Sequence, residues 1–549
     1  PPPPGTCLHL AQILFMNQKL INQNSRPSDA DTRLVLSGMH PDPTVCRVGD
    51  HYYLATSSFG FFPGIPLYVS EDLINWRFLR HILSRPEQLP LAADQPVIGR
   101  GIFAPTLRHD GERFYLVTTN FLQGGNFIVS ATDPAGEWSA PVWIEDAYQG
   151  GIDPSITFLD DGRVLYQVTW DESRGDQLGI TQFEIDLATG KGLSPRQHLS
   201  EGCGWKAVEG PHLFNKGQYW YLLLAEGGTE AGHRVTISRS ETPWGPWTSC
   251  PHNPILCHSG IQSPIQNTGH ADLFEGKDGQ WWIVFLGVRP LGHPPVHITG
   301  RETFIASVEW SDEGWPIVNN GKPITLAAET DADLKDGSTL WSDEFSSDEL
   351  HHRWVTLNAA YRSIYSTCGD GKLTLHAKSA SLSEKTIHAF VGTRLDGHNR
   401  CYETRLSRLA PGAKAGIAVF METFGYYSLG IQEEDGAARA TFTRRVLDME
   451  TTQTVPLEKQ DEYPLRVALN RSSMFWSYSY AEFVFSIETQ EGVWTEIGRG
   501  TSRLLGSEVI GGFTGLLVGM YCLRNDPQAS ASADFRCFTA TSLEKEGVS

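Results

Sequence analysis

The chain has 549 residues, of which 20% are charged and 40% are hydrophobic, and its formal net charge at pH 7 is −20. This length predicts two or three domains with ample cores. The acidic balance disfavours a nucleic-acid partner, and no apolar run approaches the ~18 residues of a membrane-spanning helix. An uncharged substrate fits this composition better than a polyanion or a membrane surface.

The N-terminal segment, residues 1–33, is treated as an extension that precedes the first domain. It begins PPPPGTCLHLAQILFM, with one short apolar patch, and is not a convincing signal peptide. The compartment, including secretion, is left open. The nine cysteines match no zinc-site spacing, and Cys250 and Cys257 could either pair or remain free thiols.

Residues 34–328 contain five copies of one phrase, a glycine followed by a short run of aromatic and aliphatic residues. The glycines lie 51 to 62 residues apart. They are Gly49, Gly111, Gly162, Gly217 and Gly279. Each copy predicts a tight turn that leads into a buried strand. Five repeats of this length, with one small antiparallel sheet each, are typical of a five-bladed β-propeller.

A second phrase starts seven to nine residues before each glycine and predicts the innermost strand of each blade. Its starting residues are Asp42, Ala104, Asp153, Glu209 and His270. Because inner strands start near one axis, we expect the three carboxylates to meet at one mouth of the propeller. The proline after each Asp predicts an extended backbone at that Asp. An Asp-Pro pair can also begin a strand by turn chemistry alone, but three equivalent carboxylates favour a functional site.

Converging carboxylates suit the hydrolysis of a glycosidic bond. One carboxylic acid protonates the leaving oxygen, and a second carboxylate activates water or attacks the sugar. Burial or a neighbouring carboxylate raises the pKa of the acid into a useful range.

The composition changes after Pro323. Residues 329–338 are acidic and aperiodic, which predicts a linker. Residues 339–549 contain many short alternating runs, such as KLTLHAK, AGIAVFM and YYSLGIQ. This pattern predicts a second all-β domain, a sandwich of the jelly-roll type.

Together these motifs resemble glycoside hydrolase family 43, in the branch of β-xylosidases and α-L-arabinofuranosidases. The markers are SGMHPDP, FFPG, GGIDP, VEGPH, QNTGHAD, GVRP and GRETF, and the resemblance spans roughly residues 35 to 549. It implies a five-bladed propeller followed by a concanavalin-like β-sandwich. It also implies an inverting, exo-acting hydrolase that releases terminal β-D-xylose, α-L-arabinofuranose or both from xylo-oligosaccharides or arabinoxylan.

The resemblance assigns roles to the three carboxylates. Asp42 would be the general base that activates water, and Glu209 the general acid. Asp153 would tune the pKa of that acid and help to hold it. Inversion needs room for a water molecule, so the carboxyl groups of Asp42 and Glu209 are expected ~6.5–9.5 Å apart.

Other residues would surround the sugar. Arg289, in GVRP, matches the family's sugar-binding arginine, with a surface or inter-blade ion pair as the alternative. Phe59 and Phe103 would line the pocket or else belong to the core, and a sandwich loop around Phe513 would contribute to the pocket's edge. His270 would face the axis, where relatives can hold a water-bridged calcium ion. Calcium prefers oxygen ligands, so a buried, hydrogen-bonded histidine is an equal alternative, and no other cofactor is expected.

Two other functions stay open at this point. An open groove would favour an arabinan-directed arabinanase, and a propeller without catalysis would only bind carbohydrate. The presence of all three carboxylates argues against the second. The sequence does not rank xylose against arabinose, and it leaves homo-oligomer formation open.

Overall fold

The computed structural model describes residues 32–90, 98–170, 179–325, 338–357, 363–471, 480–525 and 530–543. Within these ranges the chain is built almost entirely from β-strands. The described helical segments are single turns: Asp146–Tyr148, Asn319–Gly321, Ser502–Leu505 and Ser507–Ile510. None of the helices in these ranges has the length and apolar character that crossing a bilayer would need.

The first domain is a five-bladed propeller. Its strands are β1 (Thr32–Leu36), β2 (Thr44–Val48), β3 (His51–Ala55), β4 (Phe61–Phe62), β5 (Gly64–Ser70), β6 (Arg77–Leu83), β7 (Thr106–His109), β8 (Phe114–Asn120), β9 (Gly125–Ala131), β10 (Val142–Trp143), β11 (Ile152–Phe158), β12 (Val164–Trp170), β13 (Gly179–Asp186), β14 (Lys191–Gly192), β15 (Gln197–Ser200), β16 (Glu209–Lys216), β17 (Tyr219–Glu226), β18 (Arg234–Ser240), β19 (Thr248–Ser249), β20 (Leu256–Cys257), β21 (Gln266–Glu275), β22 (Trp281–Val288), β23 (Glu302–Trp310) and β24 (Pro316–Val318).

Each blade is one antiparallel sheet. Blade 1 contains β2, β3, β5 and β6, and blade 2 contains β7 to β10. Blade 3 contains β11 to β15, and blade 4 contains β16 to β20. Blade 5 combines β21 to β24 with the N-terminal strand β1.

The inner strands form a closed ring, as the repeat pattern predicts. Strands β2, β7, β11, β16 and β21 contact one another in that order, and β21 contacts β2 again. Strand β1 closes the ring by pairing with β23, with Thr32 opposite Ala306. The last blade therefore includes residues 32 and 33, which precede the predicted start of the propeller at residue 34. Residues 1–31 and the predicted linker up to residue 337 lie outside the described residues.

The five repeated glycines occupy the turns between the first and second strands of the blades. Their φ angles lie between 60° and 106°, in the left-handed region. A Cβ atom at Gly49, Gly111, Gly162 or Gly217 would meet nothing within 4 Å. The backbone conformation, not lack of space, is therefore what favours glycine there.

The second domain is a β-sandwich. Its strands are β25 (Thr339–Asp343), β26 (Val355–Leu357), β27 (Tyr365–Thr367), β28 (Leu373–His376), β29 (Ala389–Arg394), β30 (Arg400–Leu409), β31 (Ala413–Glu422), β32 (Gly425–Glu434), β33 (Ala437–Val446), β34 (Met449–Leu457), β35 (Tyr463–Arg471), β36 (Ala481–Gln490), β37 (Val493–Thr501), β38 (Leu517–Arg524) and β39 (Ser532–Ser542). One sheet has the order β27-β28-β39-β30-β35-β36-β37, with β25 on β39. The other has the order β34-β33-β32-β31-β38-β29-β26-β4.

The two domains share a sheet and part of a core. The propeller strand β4 pairs with β26 of the sandwich, with Phe62 opposite Thr356. Leu291 and Ile298 of the propeller are buried in the hydrophobic cluster of the sandwich. This joint holds one edge of the sandwich against the face of the propeller where the inner strands begin.

Cys250 and Cys257 are free thiols.

Candidate active site

A pocket lies where the inner strands of the propeller begin, and the three predicted carboxylates are on its wall. The lining residues are Asp42, Phe59, Phe103, Ala104, Ile152, Asp153, Glu209, Thr229, His270, Arg301 and Phe513. Blades 1, 3 and 4 supply one carboxylate each. Residues more than 160 positions apart in the sequence thus share one small surface.

The backbone at the start of these strands is left-handed. The φ angles are 56° at Asp42, 56° at Asp153, 59° at Gly210 and 43° at His270. The prediction of an extended backbone at Asp42 and Asp153 is therefore wrong. Strand pairing is irregular at the same places, since the register shifts between Ile152 and Ser155 and between Glu209 and His212. Bulges of this kind re-aim side chains, and a non-glycine residue in this region costs about 1–3 kcal/mol.

Asp42 is held by three side chains. The Arg301 Nη1 atom donates to Oδ1 at 3.0 Å, and the Ser57 hydroxyl donates to Oδ2 at 2.6 Å. His270 Nδ1 lies 3.7 Å from Oδ1. Burial opposes the charge on Asp42, but Arg301, His270 and the Ser57 hydroxyl outweigh it and lower the pKa of this carboxyl. Asp42 is therefore ionised across the neutral range.

Glu209 and Asp153 behave in the opposite way. Burial, followed by the negative charge of Asp42, raises the pKa of Glu209 to about 7. Burial and the charge of Glu209 raise the pKa of Asp153 well above its usual range, against a hydrogen bond from the Gly210 N–H. Both of these carboxyl groups therefore hold a proton at a higher pH than a free carboxyl group does. The site thus combines one carboxylate whose pKa is lowered with two whose pKa is raised, which is the separation that acid–base catalysis needs.

Arg289, the predicted sugar-binding arginine, is not among the residues that line the pocket. Its Nε lies 2.6 Å from Glu302 Oε2, and its Nη2 donates to Oε1 at 2.9 Å. Glu302 has no solvent exposure, and a buried carboxylate needs a charged partner. Arg289 therefore forms a buried ion pair within blade 5, which differs from the surface or inter-blade pair considered as the alternative.

Arg301 is the arginine that the structure places in the pocket. Its Nη1 contacts both Asp42 and the Thr229 hydroxyl, at 3.0 and 3.2 Å. Its Nε and Nη2 donate to the carbonyl oxygen of Phe513, at 3.3 and 3.2 Å. The GRETF motif contains this residue, but the sequence predicted no role in the site for Arg301.

Aromatic side chains form one wall of the pocket. Phe59 and Phe103 both line it, with ring centroids 5.3 Å apart. Phe513 from the sandwich stacks on Phe59 at 6.1 Å and is 42% exposed. The guanidinium carbon of Arg301 lies 5.3 Å from the centre of the Phe59 ring. Such a wall offers flat apolar faces to a sugar ring beside charged hydrogen-bond donors.

Arg108 lies on the propeller axis below the pocket, in the region where a calcium ion was considered beside His270. Arg108 donates to both oxygens of Asp272, at 2.9 and 3.1 Å. It also contacts the Thr44 hydroxyl at 3.2 Å and His212 Nδ1 at 3.1 Å. We call Thr44, Arg108, His212 and Asp272 the axial cluster. Because the Arg108 guanidinium already neutralises the Asp272 carboxylate, the axial cluster does not fit a calcium ion. The described part of the chain contains no group of three or more His, Cys, Asp or Glu residues arranged for a metal.

The remaining wall residues were not identified from the sequence. Ala104 starts the inner strand of blade 2, and Ile152 directly precedes Asp153, so the repeat pattern placed both near the axis without giving them a role. Thr229 lies between β17 and β18, and no repeat signal marks it.

Comparisons with known proteins agree with this architecture. The family model described as glycosyl hydrolases family 43 matches residues 32–316. The model described as the beta xylosidase C-terminal concanavalin A-like domain matches residues 342–541. These two ranges correspond to the propeller and the sandwich.

Individual relatives are similar over most of the chain. The chain is 34% identical to a non-reducing end α-L-arabinofuranosidase of Bacteroides ovatus, covering 93% of this chain and 94% of that protein. It is 38% identical to a xylosidase/arabinosidase of Butyrivibrio fibrisolvens, covering 66% of this chain and 72% of that protein. A solved structure of the Bacteroides ovatus xyloglucan-locus GH43B protein matches with a TM-score of 0.82 at 33% identity, covering 93% of this chain and all of that one. With both domains matched in order, and with the carboxylates gathered in one pocket, this chain belongs to glycoside hydrolase family 43 and is a glycosidase.

Proposed function

We propose that this glycosidase is an inverting, exo-acting enzyme that releases a terminal pentose, β-D-xylose or α-L-arabinofuranose, from short xylo-oligosaccharides or arabinoxylan. The observation that carries the proposal is the convergence of Asp42, Asp153 and Glu209 on a single pocket, where the pKa is lowered at Asp42 and raised at the other two. The names of the relatives, which include xylosidases and arabinofuranosidases, support a pentose.

In the proposed reaction, Asp42 accepts a proton from a water molecule as that water attacks the anomeric carbon. Glu209 donates its proton to the glycosidic oxygen, and the bond from that oxygen to the anomeric carbon breaks. Arg301 keeps Asp42 ionised and can donate a hydrogen bond to a sugar hydroxyl. Asp153 lies in the same pocket and, as the family resemblance implies, helps to hold the acid and tune its pKa.

The proposal of exo action is based on the aromatic wall that the sandwich domain adds to the pocket. Phe513 closes one side of the pocket against Phe59 and Phe103. A polysaccharide bound along an open groove would need that side free, whereas the last sugar of a chain needs one open side only.

The direct test compares rates on aryl β-D-xylopyranoside, aryl α-L-arabinofuranoside, xylobiose, arabinoxylan and linear arabinan. We expect one or both aryl pentosides to be hydrolysed, and single pentoses to be released from the oligomers. The Glu209→Ala variant serves as the negative control. Internal cleavage of arabinan into a ladder of oligomers, without release of single pentoses, would contradict the proposal.

Substrates with different leaving groups should distinguish the proposed roles of Glu209 and Asp42. Glu209→Ala should lower kcat on xylobiose by about 10²–10⁴-fold, but far less on a dinitrophenyl xyloside, whose leaving group needs no proton. Asp42→Ala should lower kcat strongly on both substrates, because both need an activated water. Steady-state rates on the two substrates measure this. An equal loss on both substrates in Glu209→Ala would contradict its role as the acid.

The dependence of kcat/KM on pH should be bell-shaped. Activity requires Asp42 ionised, so it is lost as the pH falls through the pKa of Asp42, which lies below the usual Asp value. Activity also requires a protonated acid, so it is lost as the pH rises through the pKa of Glu209, about 7. Initial rates between pH 3 and pH 10 at low substrate concentration measure both limbs. A profile that stays flat above pH 8 would contradict the assignment of the acid.

The two arginines of blade 5 should respond differently to the same substitution. Arg301→Lys keeps the charge but loses the forked contact, and should lower kcat/KM by about 10²-fold. Arg289→Lys should lower the free energy of unfolding by on the order of 2 kcal/mol and affect kcat/KM much less. Kinetics and chemical denaturation of both variants give the comparison. The reverse pattern would return the sugar-binding role to Arg289.

We also propose that the axial cluster needs no calcium, since Arg108 supplies the positive charge beside Asp272. Treatment with EDTA followed by gel filtration should leave kcat/KM and Tm unchanged, and added CaCl₂ should not raise them. A loss on chelation that calcium restores would show instead that His270 or its neighbours hold a metal.

A further inference from the structure

Two segments, one from each domain, lie face to face beside the pocket. The propeller contributes residues 297–301, which lead into β23, and the sandwich contributes residues 507–516, which lead into β38. The Ser507 N–H donates to the His297 carbonyl at 3.2 Å, and the Leu516 N–H donates to the Ile298 carbonyl at 3.0 Å. We call this pair of segments the interdomain clasp.

Glu508 fastens one end of the interdomain clasp. Its Oε1 lies 2.6 Å from His297 Nδ1, and its Oε2 accepts from the His297 N–H at 3.0 Å. One carboxylate thus binds both the ring and the backbone of the same residue. Burial raises the pKa of Glu508, but the hydrogen bond and charge of His297 outweigh it, so the pKa lies below its usual value. Glu508 is therefore ionised at neutral pH and makes charge-assisted contacts.

The other end of the interdomain clasp is in the active site. The Phe513 carbonyl accepts two hydrogen bonds from Arg301, the residue that holds Asp42. The Phe513 ring lines the pocket beside Phe59. A shift of this loop would therefore move an aromatic wall and an arginine at the same time.

The loop that carries Phe513 has little stiffness of its own. Gly511 and Gly512 have φ angles of 82° and 92°, and a Cβ at either would meet nothing within 4 Å. Glycines in open space leave many backbone conformations accessible. Gly515 is different, because a Cβ there would lie 2.5 Å from the Thr299 carbonyl oxygen. The loop is thus tightly packed at Gly515 and anchored at Glu508, with a permissive stretch between.

From this geometry we propose that Glu508 is a positioning residue for the active site, although it lies in the sandwich and touches no substrate. By clamping His297 it fixes the loop so that the Phe513 ring closes the pocket and the Phe513 carbonyl aims Arg301 at Asp42. The proposal rests on the exo-glycosidase function proposed above. It makes the sandwich a working part of the catalytic site.

The test uses the full-length protein and the aryl pentoside that the wild type hydrolyses best. Glu508→Ala should lower kcat/KM by about tenfold or more, because a displacement of about 1 Å at a reacting site can cost 10²-fold. Glu508→Gln keeps one acceptor oxygen and should recover part of the loss. Tyr480→Phe is the matched control, since it removes another interdomain hydrogen bond, from the Tyr480 hydroxyl to the Pro294 carbonyl at 2.7 Å, outside the interdomain clasp.

A double-mutant cycle separates positioning from general destabilisation. If Glu508 acts through Arg301, then Glu508→Ala should cost less than about twofold when Arg301 is already Lys, because coupled residues are not additive. A full tenfold loss in that background, or a loss in Tyr480→Phe equal to that in Glu508→Ala, would overturn the proposal. Wild-type kcat/KM in Glu508→Ala would also overturn it. If the wild type hydrolyses no pentoside, the proposed function fails instead, so the two failures are distinguishable.

Discussion

The ion pair between Arg301 and Asp42 is the contact on which the rest of the site depends. A carboxylate buried at the start of a propeller strand is unfavourable unless a charged partner compensates it. Arg301 supplies that charge from blade 5, and it reaches Thr229 in blade 4 and the Phe513 carbonyl in the sandwich with its remaining donors. The guanidinium has five donors in a planar fork, so one side chain can order three separate parts of the chain. The charge on Asp42 in turn raises the pKa of Glu209. One ion pair therefore holds Asp42 ionised and ties the second domain to the pocket, while its two members act in opposite directions on the pKa of Glu209.

The left-handed backbone at the strand starts helps to explain how equivalent positions in the five blades can carry different side chains. Strand starts in a propeller are equivalent positions, yet only some of them bear carboxylates. At Asp42 and Asp153 the left-handed φ lifts the side chain out of the strand ladder and towards the axis. In blade 4 the left-handed residue is Gly210, directly after Glu209, so the strain is borne by a glycine at little cost. The axial cluster stabilises this arrangement from below, since Arg108 and Asp272 join blades 2 and 5 through one buried ion pair.

Much of this could be predicted from sequence, for definable reasons. The glycine turns and the aromatic strands follow local rules, so five repeats sufficed to predict the blades and their inner strands. The carboxylates followed because equivalent positions in a ring converge. Contacts between distant segments had no such signal. The sequence did not show that β1 belongs to the last blade, or that Phe61 and Phe62 would extend a sheet of the sandwich. It also pointed to Arg289 and not to Arg301, because which carboxylate each guanidinium meets, Glu302 or Asp42, depends on the folded arrangement. The loop around Phe513 was expected near the pocket from the family resemblance alone.

The proposed inversion requires a water molecule on the side of the sugar where Asp42 lies, opposite Glu209. The most direct measurement is the configuration of the sugar at the moment of release, followed by proton NMR during the first minutes of hydrolysis of an aryl β-D-xylopyranoside, or of an aryl α-L-arabinofuranoside if that is the better substrate. Attack by water predicts that the first anomer to appear has the configuration opposite to that of the substrate, with the other anomer growing in only by mutarotation. Initial release of the sugar with its configuration retained would contradict the account, because it would require a carboxylate rather than water to attack the anomeric carbon.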